Sequence, residues 1–238
     1  MPSPPEPRAM SENRLLAALP ADEYERLRPG LEPVHLPQGK TIYEAGDGMR
    51  HAYFLRGGTA SMLSITEDGE TIEVAMVGSE GVIGVPIILG VSVTPYRVVA
   101  QAPVAASRVA ADVLRREFNR GGRLQELLLK YTHALITQIS QSAVCNRFHT
   151  VEQRLSRWLL VASDRVRSDD FQLTQEFISH MLGVPRTTVT VIAGAFQKAG
   201  LIRHSRGRVQ LLDRPGLEAT ACACYRVVRD QVSPFFAA

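Results

Sequence analysis

The chain has 238 residues and a mass of 26.2 kDa, enough for two compact units or one large one. Its residues are 45% hydrophobic and 21% charged, which excludes wholesale disorder and collagen-like repeats. The longest apolar stretch, at residues 81–93, falls short of the ~20 residues that a membrane span needs. Three cysteines argue against a disulfide framework. Since no signal-peptide pattern is visible, we expect a cytoplasmic protein with no membrane partner.

The net charge of +3 is unevenly distributed along the chain. Residues 146–238 hold 13 Lys and Arg against 8 Asp and Glu, a net of +5, whereas the remainder carries −2. Charge asymmetry of this kind favours a nucleic-acid-binding portion at the basic end. A solvated basic face would give the same counts, so the motifs must decide between the two interpretations.

The front half has the pattern of a β domain. Residues 1–12 are Pro-rich and are predicted to be disordered. From residue 34 to residue 100, short β-branched or aromatic segments alternate with turns such as Pro37-Gln-Gly and Gly57-Gly58. This spacing is typical of an all-β sandwich or barrel, which we place at residues 13–122.

A long helix is predicted at residues 123–148. Seven residues there repeat at spacings of four and three, the heptad pattern of a coiled-coil seam. They are Leu124, Leu128, Tyr131, Leu135, Gln138, Ser142 and Cys145. The seam could be buried in the chain itself or could face a partner. We favour a parallel dimerisation helix, because Leu127, Ile136 and Ile139 on a neighbouring face suffice to pack the helix on the β domain.

Residues 149–213 have the features of a helix-turn-helix unit with a hairpin. Thr174 is a suitable N-cap for a short helix, Gly183 can adopt the left-handed conformation of a sharp turn, and Pro185 suits the start of a second helix. The arrangement is that of DNA-binding helix-turn-helix motifs. Residues 214–238 form a predicted helical extension.

The outward residues of this unit favour DNA binding. The side chains at the start of the second helix can contact base edges in the major groove, and the cations on the hairpin can contact phosphates. The residues that we expect to contact DNA are Thr174, Arg186, Thr187, Thr190, Arg203, Arg206 and Arg208.

The sequence resembles the Crp/Fnr family of bacterial transcription regulators. The matching segments include residues 37–47, residues 53–58 and Gly78-Ser-Glu-Gly81 at the front, and the helix-turn-helix at the rear. The resemblance implies an α+β fold with an N-terminal double-stranded β-roll (jelly-roll), a long dimerisation helix and a C-terminal winged helix-turn-helix. It also implies a homodimer on a palindromic double-stranded DNA operator, with RNA polymerase as a candidate further partner and a signal received by the β-roll.

The resemblance breaks at the ligand site. Members that bind cyclic AMP carry Gly-Glu shortly before an Arg-Ser or Arg-Thr pair, whereas this chain has Gly84-Val85 and then Tyr96-Arg97. Without the Glu, buried ribose hydroxyls would lack an acceptor, at a cost of about 1–3 kcal/mol. We therefore expect the β-roll to sense a signal other than cyclic AMP, with a small-molecule effector of unknown identity as a candidate partner. The candidate effector-pocket residues are Gly84, Val85, Arg97 and Ser140.

No cofactor and no metal site are predicted from the sequence. A four-cysteine iron–sulfur cluster is excluded by a count of three, and His35, His51 and His133 are haem-ligand candidates by residue type alone. Cys222-Ala-Cys224 could be a thiol pair for oxidation or metal capture. We favour simple packing of small residues, because the C-x-C spacing has no second ligand pair nearby in the sequence.

Three functional hypotheses follow. The first is a homodimeric, sequence-specific regulator with a sensing β-roll, and the second keeps the DNA binding but makes the β-roll a ligand-free scaffold. The third, a cupin-type metalloenzyme with a DNA-binding module, lacks the clustered His and carboxylate ligands. We expect no catalytic residues and no enzyme activity. Thr187 and Val191 stand where relatives often present other residues, so the family's usual target sequences are not expected.

Overall fold

The computed structural model describes residues 13–205 and 207–232. The predicted disordered segment 1–12, Arg206 and residues 233–238 of the predicted extension lie outside the described residues. The described chain forms a β-rich unit, a long helix and a smaller helical unit, in that order along the sequence. In these two described ranges, no helix is both long enough and apolar enough to cross a bilayer.

Two four-stranded antiparallel sheets form the front unit. Its elements are α1 (Arg14–Ala17), α2 (Ala21–Leu27), a 3-10 turn (Arg28–Gly30), β1 (Glu32–Leu36), β2 (Thr41–Tyr43), β3 (His51–Gly57), β4 (Ala60–Ile65), β5 (Thr71–Val77), β6 (Val82–Ile83), α3 (Val85–Ile88), β7 (Arg97–Ala100), β8 (Val104–Ala110) and α4 (Ala111–Asn119). The strand orders are β1-β8-β3-β6 and β2-β7-β4-β5. Non-consecutive neighbours in both sheets are typical of a jelly-roll, and the predicted α+β class with a β-roll is confirmed.

The interior of the β-roll is filled by apolar side chains from both sheets. Phe54 and Leu55 of β3 are completely buried, and Val98 of β7 belongs to the same cluster. Asn13 joins α1 to this core, because its side-chain amide donates to the carbonyl of Leu55 while its Oδ1 caps the helix. The apolar side chains of the two sheets therefore hold the sheets together and fill the space between them.

Helix α5 (Arg123–Phe148) packs its heptad seam against the chain's own β-roll. The six residues predicted to face a partner are all buried within the chain. They are Leu124, Leu128, Tyr131, Leu135, Gln138 and Ser142. In this arrangement the seam packs within the chain's own core and leaves little surface for a partner. Spacings of four and three also suit a helix that lies on a sheet.

The contact between α5 and the β-roll explains one glycine. A Cβ at Gly81 would lie 2.3 Å from the hydroxyl of Tyr131 and 2.6 Å from its Cζ. Glycine is therefore required at this position for the helix to approach the β5–β6 turn. Burial also raises the pKa of the Tyr131 phenol, with the Glu80 carboxylate acting in the same direction.

The rear unit is a winged helix-turn-helix followed by two more helices. Its elements are α6 (Val151–Val166), β9 (Asp170–Gln172), α7 (Gln175–Leu182), α8 (Arg186–Lys198), β10 (Ile202–Ser205), β11 (Arg208–Leu211), α9 (Arg214–Thr220) and α10 (Cys224–Val232). The three strands form one sheet in the order β10-β11-β9. A capping box at Thr150 and Gln153 starts α6 directly after α5 ends.

The rear unit rests on the β4–β5 hairpin of the β-roll. Leu63 and Met76 of this hairpin belong to the same apolar cluster as Trp158 of α6. The Trp158 indole Nε1 donates to Glu73 Oε1 at 2.9 Å. On the helix-turn-helix side, a Cβ at Gly183 would lie 3.2 Å from Cδ1 of Ile72. The two units therefore share apolar and polar contacts and form one continuous body in this arrangement.

Candidate nucleic-acid interface

Helix α7 is positioned by local signals at both of its ends. The Thr174 hydroxyl accepts the amide of Phe177 at 3.1 Å and caps the helix N-terminus. Gly183 ends the helix with φ 61° and ψ 46°, the left-handed conformation that favours glycine. The structure thus gives Thr174 a capping role at the start of α7, beside the surface where we predicted a DNA contact.

Helix α8 presents its N-terminal end to solvent. Val189, Ile192 and Phe196 face the interior, which turns the opposite side of the helix outward. The exposed residues at the start of α8 are Arg186, Thr187, Thr190 and Val191. We call these four residues the reading face. Val191 has 72% of its surface exposed, a large value for an aliphatic side chain that has no partner to cover it.

Gln175, which lies beside the reading face, was not predicted from the sequence. Gln175 is the first residue of α7, and its Oε1 accepts a hydrogen bond of 2.7 Å from the Thr190 hydroxyl. The amide end of Gln175 is therefore held beside the reading face. Its position directly after the N-cap Thr174 is the sequence signal that could have identified it.

The hairpin after α8 forms the wing. Strands β10 and β11 pair antiparallel, with Arg203 opposite Gln210, and the Arg203 guanidinium donates to the Gln210 side chain at 3.2 Å. Arg208 pairs with Asp170 of β9, with 2.9 Å between Nη2 and Oδ2. The Arg208 guanidinium holds the pKa of the Asp170 carboxyl below its usual range. Of the two described wing arginines, Arg208 thus already has an acidic partner, which the sequence interpretation missed.

A groove of ≈ 600 Å³ lies between the wing and a turn of the β-roll. Thr174, Arg203 and Arg208 line one side of the groove, and Gln38 of the β1–β2 turn lines the other. Three predicted DNA contacts are therefore brought together at one place. The β-roll turn stands directly beside them, so the sensor unit is within reach of the surface that would meet a phosphate backbone.

The candidate effector-pocket residues do not form a charged binding site for a phosphate and ribose. Gly84 is left-handed with φ 112° and caps α3, and Val85 follows it with only 6% of its surface exposed. Arg97 of β7 forms an ion pair with Glu44, with 2.6 Å between Nε and Oε2. Ser140 lies on the exposed side of α5. Where relatives that bind cyclic AMP have a glutamate and a free arginine, this chain therefore has the apolar Val85 and an Arg97 that is paired with Glu44.

The cysteines have a second ligand pair after all. Cys145 and His149 at the end of α5 lie beside Cys222 and Cys224, although 77 residues separate Cys145 from Cys222. This proximity was missed from the sequence because it arises only in the tertiary fold. The i, i+4 spacing of Cys145 and His149 on one helix was the available signal. His35 lies on β1, His51 on β3 and His133 earlier on α5, and none of the three belongs to this group.

A β-roll joined by a long helix to a winged helix-turn-helix with an exposed reading face defines a DNA-binding transcription regulator with a sensor-type domain. Comparison with known families agrees with this. Residues 33–120 match the cyclic nucleotide-binding domain, and residues 153–220 match the Crp-like helix-turn-helix domain. The chain belongs to the Crp/Fnr family and is a Crp/Fnr-type DNA-binding transcription regulator with a cyclic nucleotide-binding domain.

Known relatives align with most of the chain. The global nitrogen regulator of Synechococcus elongatus is 25% identical over 216 residues, which cover 85% of this chain and 95% of that protein. The transcriptional regulatory protein btr of Bordetella pertussis is 27% identical over 219 residues, 84% of this chain and 86% of that protein. The structure of FixK2 from Bradyrhizobium japonicum shares the fold with a TM-score of 0.70 at 15% identity, covering 81% of this chain and 98% of that one.

Proposed function

We propose that the chain acts as a homodimer that binds palindromic DNA sequence-specifically and responds to a signal other than cyclic AMP. The observation that carries this proposal is the exposed reading face at the start of α8, which is followed in the chain by the arginine-bearing wing. Helix α8, every residue of which is described, has no acidic residue in its first turn. A negatively charged duplex can therefore approach this helix end, where the helix dipole favours anions.

The reading face has chemistry for base recognition. Arg186 can form two hydrogen bonds to a guanine, Thr187 can contact a base edge, and the exposed Val191 can pack on a thymine methyl group. Each good bidentate pair discriminates against the wrong base by about 1–3 kcal/mol. Thr190 and Gln175 form a hydrogen-bonded pair. This pair either contacts a base directly or orients the reading-face side chains beside it. Arg203, Arg208 and Arg206 stay predicted phosphate contacts, which set register without reading sequence.

A different face of α5 from the buried seam fits a partner helix. Leu129, Ile136 and Ala143 recur every seven residues on the exposed side, and Ile136 has 57% of its surface exposed. His133 and Ser140 lie between them on the same side. Exposed aliphatic residues at this spacing are typical of a coiled-coil contact. We propose this face, and not the buried seam, as the dimer interface.

The nature of the signal is proposed from the altered ligand site. The buried Val85 supplies no acceptor for a ribose hydroxyl, and Glu44 already neutralises Arg97. Cyclic AMP is therefore not the expected effector. The ligand-free scaffold is the second candidate, favoured by the apolar side chains that fill the β-roll interior. A cytoplasmic location, where chromosomal DNA lies, belongs to the proposal, and RNA polymerase stays a candidate partner.

The test is genome-wide mapping of bound sites followed by footprinting at physiological salt. The wild-type chain should protect a palindrome, and Arg186→Ala should lose that protection. Arg116→Ala, which removes an exposed cation from α4 of the β-roll, is the matched control and should leave the footprint unchanged. Equal footprints with and without cyclic AMP would support a different signal or none, whereas the absence of any protected palindrome would contradict the proposal.

A further inference from the structure

Four metal-binding side chains meet where the long helix ends. Cys145 lies in the last turn of α5, and His149 is its C-cap residue. Cys222 lies between α9 and α10, and Cys224 is the first residue of α10. The one ligand atom offered by each of these four residues lies within 4.8 Å of the other three. We call these four residues the Cys₃His cluster.

The spacing of the ligand atoms suits one tetrahedral ion. Zinc bonds to sulfur at about 2.3 Å and to nitrogen at about 2.0–2.1 Å, so tetrahedral geometry separates two sulfurs by about 3.8 Å and a sulfur from a nitrogen by about 3.6 Å. The Sγ atoms of Cys145 and Cys222 are 3.4 Å apart, and Cys224 Sγ is 3.7 Å from His149 Nδ1. Both distances are within a few tenths of an ångström of the tetrahedral values.

The surroundings of the cluster favour a site of net negative charge. All three cysteines are buried, and the Arg157 guanidinium acts electrostatically on each of their thiols. Arg157 has 9% of its surface exposed, and among the described residues its Nε has no hydrogen-bond partner. The Arg157 guanidinium also acts electrostatically on the Glu73 carboxyl, and thiolates beside it supply further negative charge that neutral thiols would not. Three thiolates and a neutral histidine around a divalent ion carry a net charge of −1, which matches Arg157.

We propose that Cys145, His149, Cys222 and Cys224 form a structural Zn²⁺ site. Four protein ligands of the Cys₃His type complete the tetrahedron and leave no open position, as in structural rather than catalytic zinc sites. An iron–sulfur cluster fits less well, because its ligands are distributed over several iron atoms and stand farther apart than these four. A disulfide between Cys145 and Cys222 would remove two of the four ligands and two of the thiolates that balance the charge of Arg157.

The site lies at the junction of α5, α6 and α10. His149 is extended, with φ −112° and ψ 147°, and forms the break between α5 and α6. Helix α10 packs on both of these helices. A bound Zn²⁺ cross-links the end of α5 to α10 and thereby fixes α10 over the junction that carries the DNA-binding unit. Metal binding is independent of the DNA-binding proposal, since it can be measured without DNA.

The first experiment measures metal on the full-length chain without an affinity tag. The protein is purified anaerobically with its thiols reduced, and its zinc content is measured by elemental mass spectrometry. It is then stripped with a chelator and titrated with Co²⁺. We expect one zinc per chain as purified, and one Co²⁺ per chain with the sulfur-to-metal charge transfer and intense visible bands of tetrahedral cobalt–thiolate coordination. Zn²⁺ should displace the Co²⁺ and abolish the bands.

Ligand variants make the test specific. Cys224→Ser and His149→Ala should each weaken Co²⁺ binding by at least about tenfold, the lower end of the effect seen when a site's outer partners are changed. His35→Ala removes an exposed histidine from β1, away from the cluster, and should bind Co²⁺ like the wild type. Substoichiometric zinc together with no thiolate spectrum, or a Cys145–Cys222 disulfide in the anaerobic protein, would overturn the proposal. So would cobalt binding unchanged in both ligand variants, with circular dichroism confirming that each is folded.

Discussion

Arg165 and Glu80 form an ion pair in the interior of the protein, with 2.7 Å between Nε and Oε1 and at most 5% of either side chain exposed. Arg165 lies in the last turn of α6, and Glu80 lies in the turn before β6. The Arg165 guanidinium also donates to the side chain of Gln138 on α5. One arginine of the DNA-binding unit thus joins the β-roll and the long helix, so the orientation of the two units depends on this pair.

Removing one partner of the buried pair should be strongly destabilising. Arg165→Met leaves the Glu80 carboxylate buried without its cation, and such losses amount to about 3–5 kcal/mol. The free energy of unfolding from denaturant titration measures the effect. Lys130→Ala, which breaks the exposed pair with Glu126, is the control and should change stability by about 1 kcal/mol or less. Similar small losses in both variants would show that the buried pair does not hold the units together.

Glu73 should make the contact between the units sensitive to pH. Burial raises the pKa of the Glu73 carboxyl to about 7, above the usual 4.5. The folded chain therefore binds this proton more tightly than the unfolded chain. The resulting stability is fully present below the unfolded pKa and is lost as pH rises through 7. We expect the Tm of the wild type to fall between pH 5 and pH 8 (roughly the window set by the two pKa values) more than that of Glu73→Gln.

Trp158 provides a direct readout of the same titration. It is the single tryptophan of the chain, and its indole donates to Glu73. Its fluorescence should titrate with a midpoint near the Glu73 pKa of about 7, and Glu73→Gln should abolish that transition. A fluorescence transition that persists unchanged in Glu73→Gln would assign it to another group.

Asp170 should restrain DNA binding through the wing. Because its carboxylate pairs with Arg208, Asp170→Asn frees that guanidinium for a phosphate. Binding to random duplex DNA should strengthen, and the slope of log K against log salt should steepen by about one. Asp112→Asn on α4 changes the net charge equally but lies in the β-roll. If both variants shift binding to the same extent, only the total charge matters and the pairing has no role.

The proposed dimer face gives a prediction for assembly. Ile136→Asp places a charge where two exposed apolar faces would meet, so sedimentation should show a shift from dimer to monomer. Asn146→Asp introduces the same charge at an exposed position on α5 outside the Leu129–Ile136–Ala143 face and should stay dimeric. An Ile136→Asp protein that sediments as the wild type would exclude this face as the interface.

The helix-turn-helix was predictable because its signals are local. Thr174, Gly183 and Pro185 each act on the backbone within one turn of their own position, so the sequence order of residue types predicts the geometry. The exposure of Arg186, Thr187 and Thr190 follows from the helical period. The same reasoning placed an all-β unit in the front half, because short strands and glycine turns are also local features; the β-roll itself came from the family resemblance.

The packing of the α5 seam and the Cys₃His cluster could not be predicted in the same way. The apolar spacing of Leu124, Leu128 and Leu135 predicts that one face of α5 is buried, but spacing alone does not reveal what buries it. The stronger apolar face packs on the β-roll, and the weaker one, with Ile136, is left exposed. The Cys₃His cluster and the Asp170–Arg208 pair depend on contacts between elements far apart in sequence. Local spacing indicates at most one half of the cluster, Cys145 with His149.

The most direct test of sequence-specific DNA binding through α8 is selection of binding sites from random duplexes by the wild type and by Arg186→Ala. The wild type should enrich a palindrome whose half-sites are about one helical turn apart. Arg186→Ala should bind that site more weakly by about 1–3 kcal/mol and lose preference at one base pair in each half-site. Enrichment of no sequence by the wild type, or of the same sequence with equal affinity by Arg186→Ala, would contradict the account.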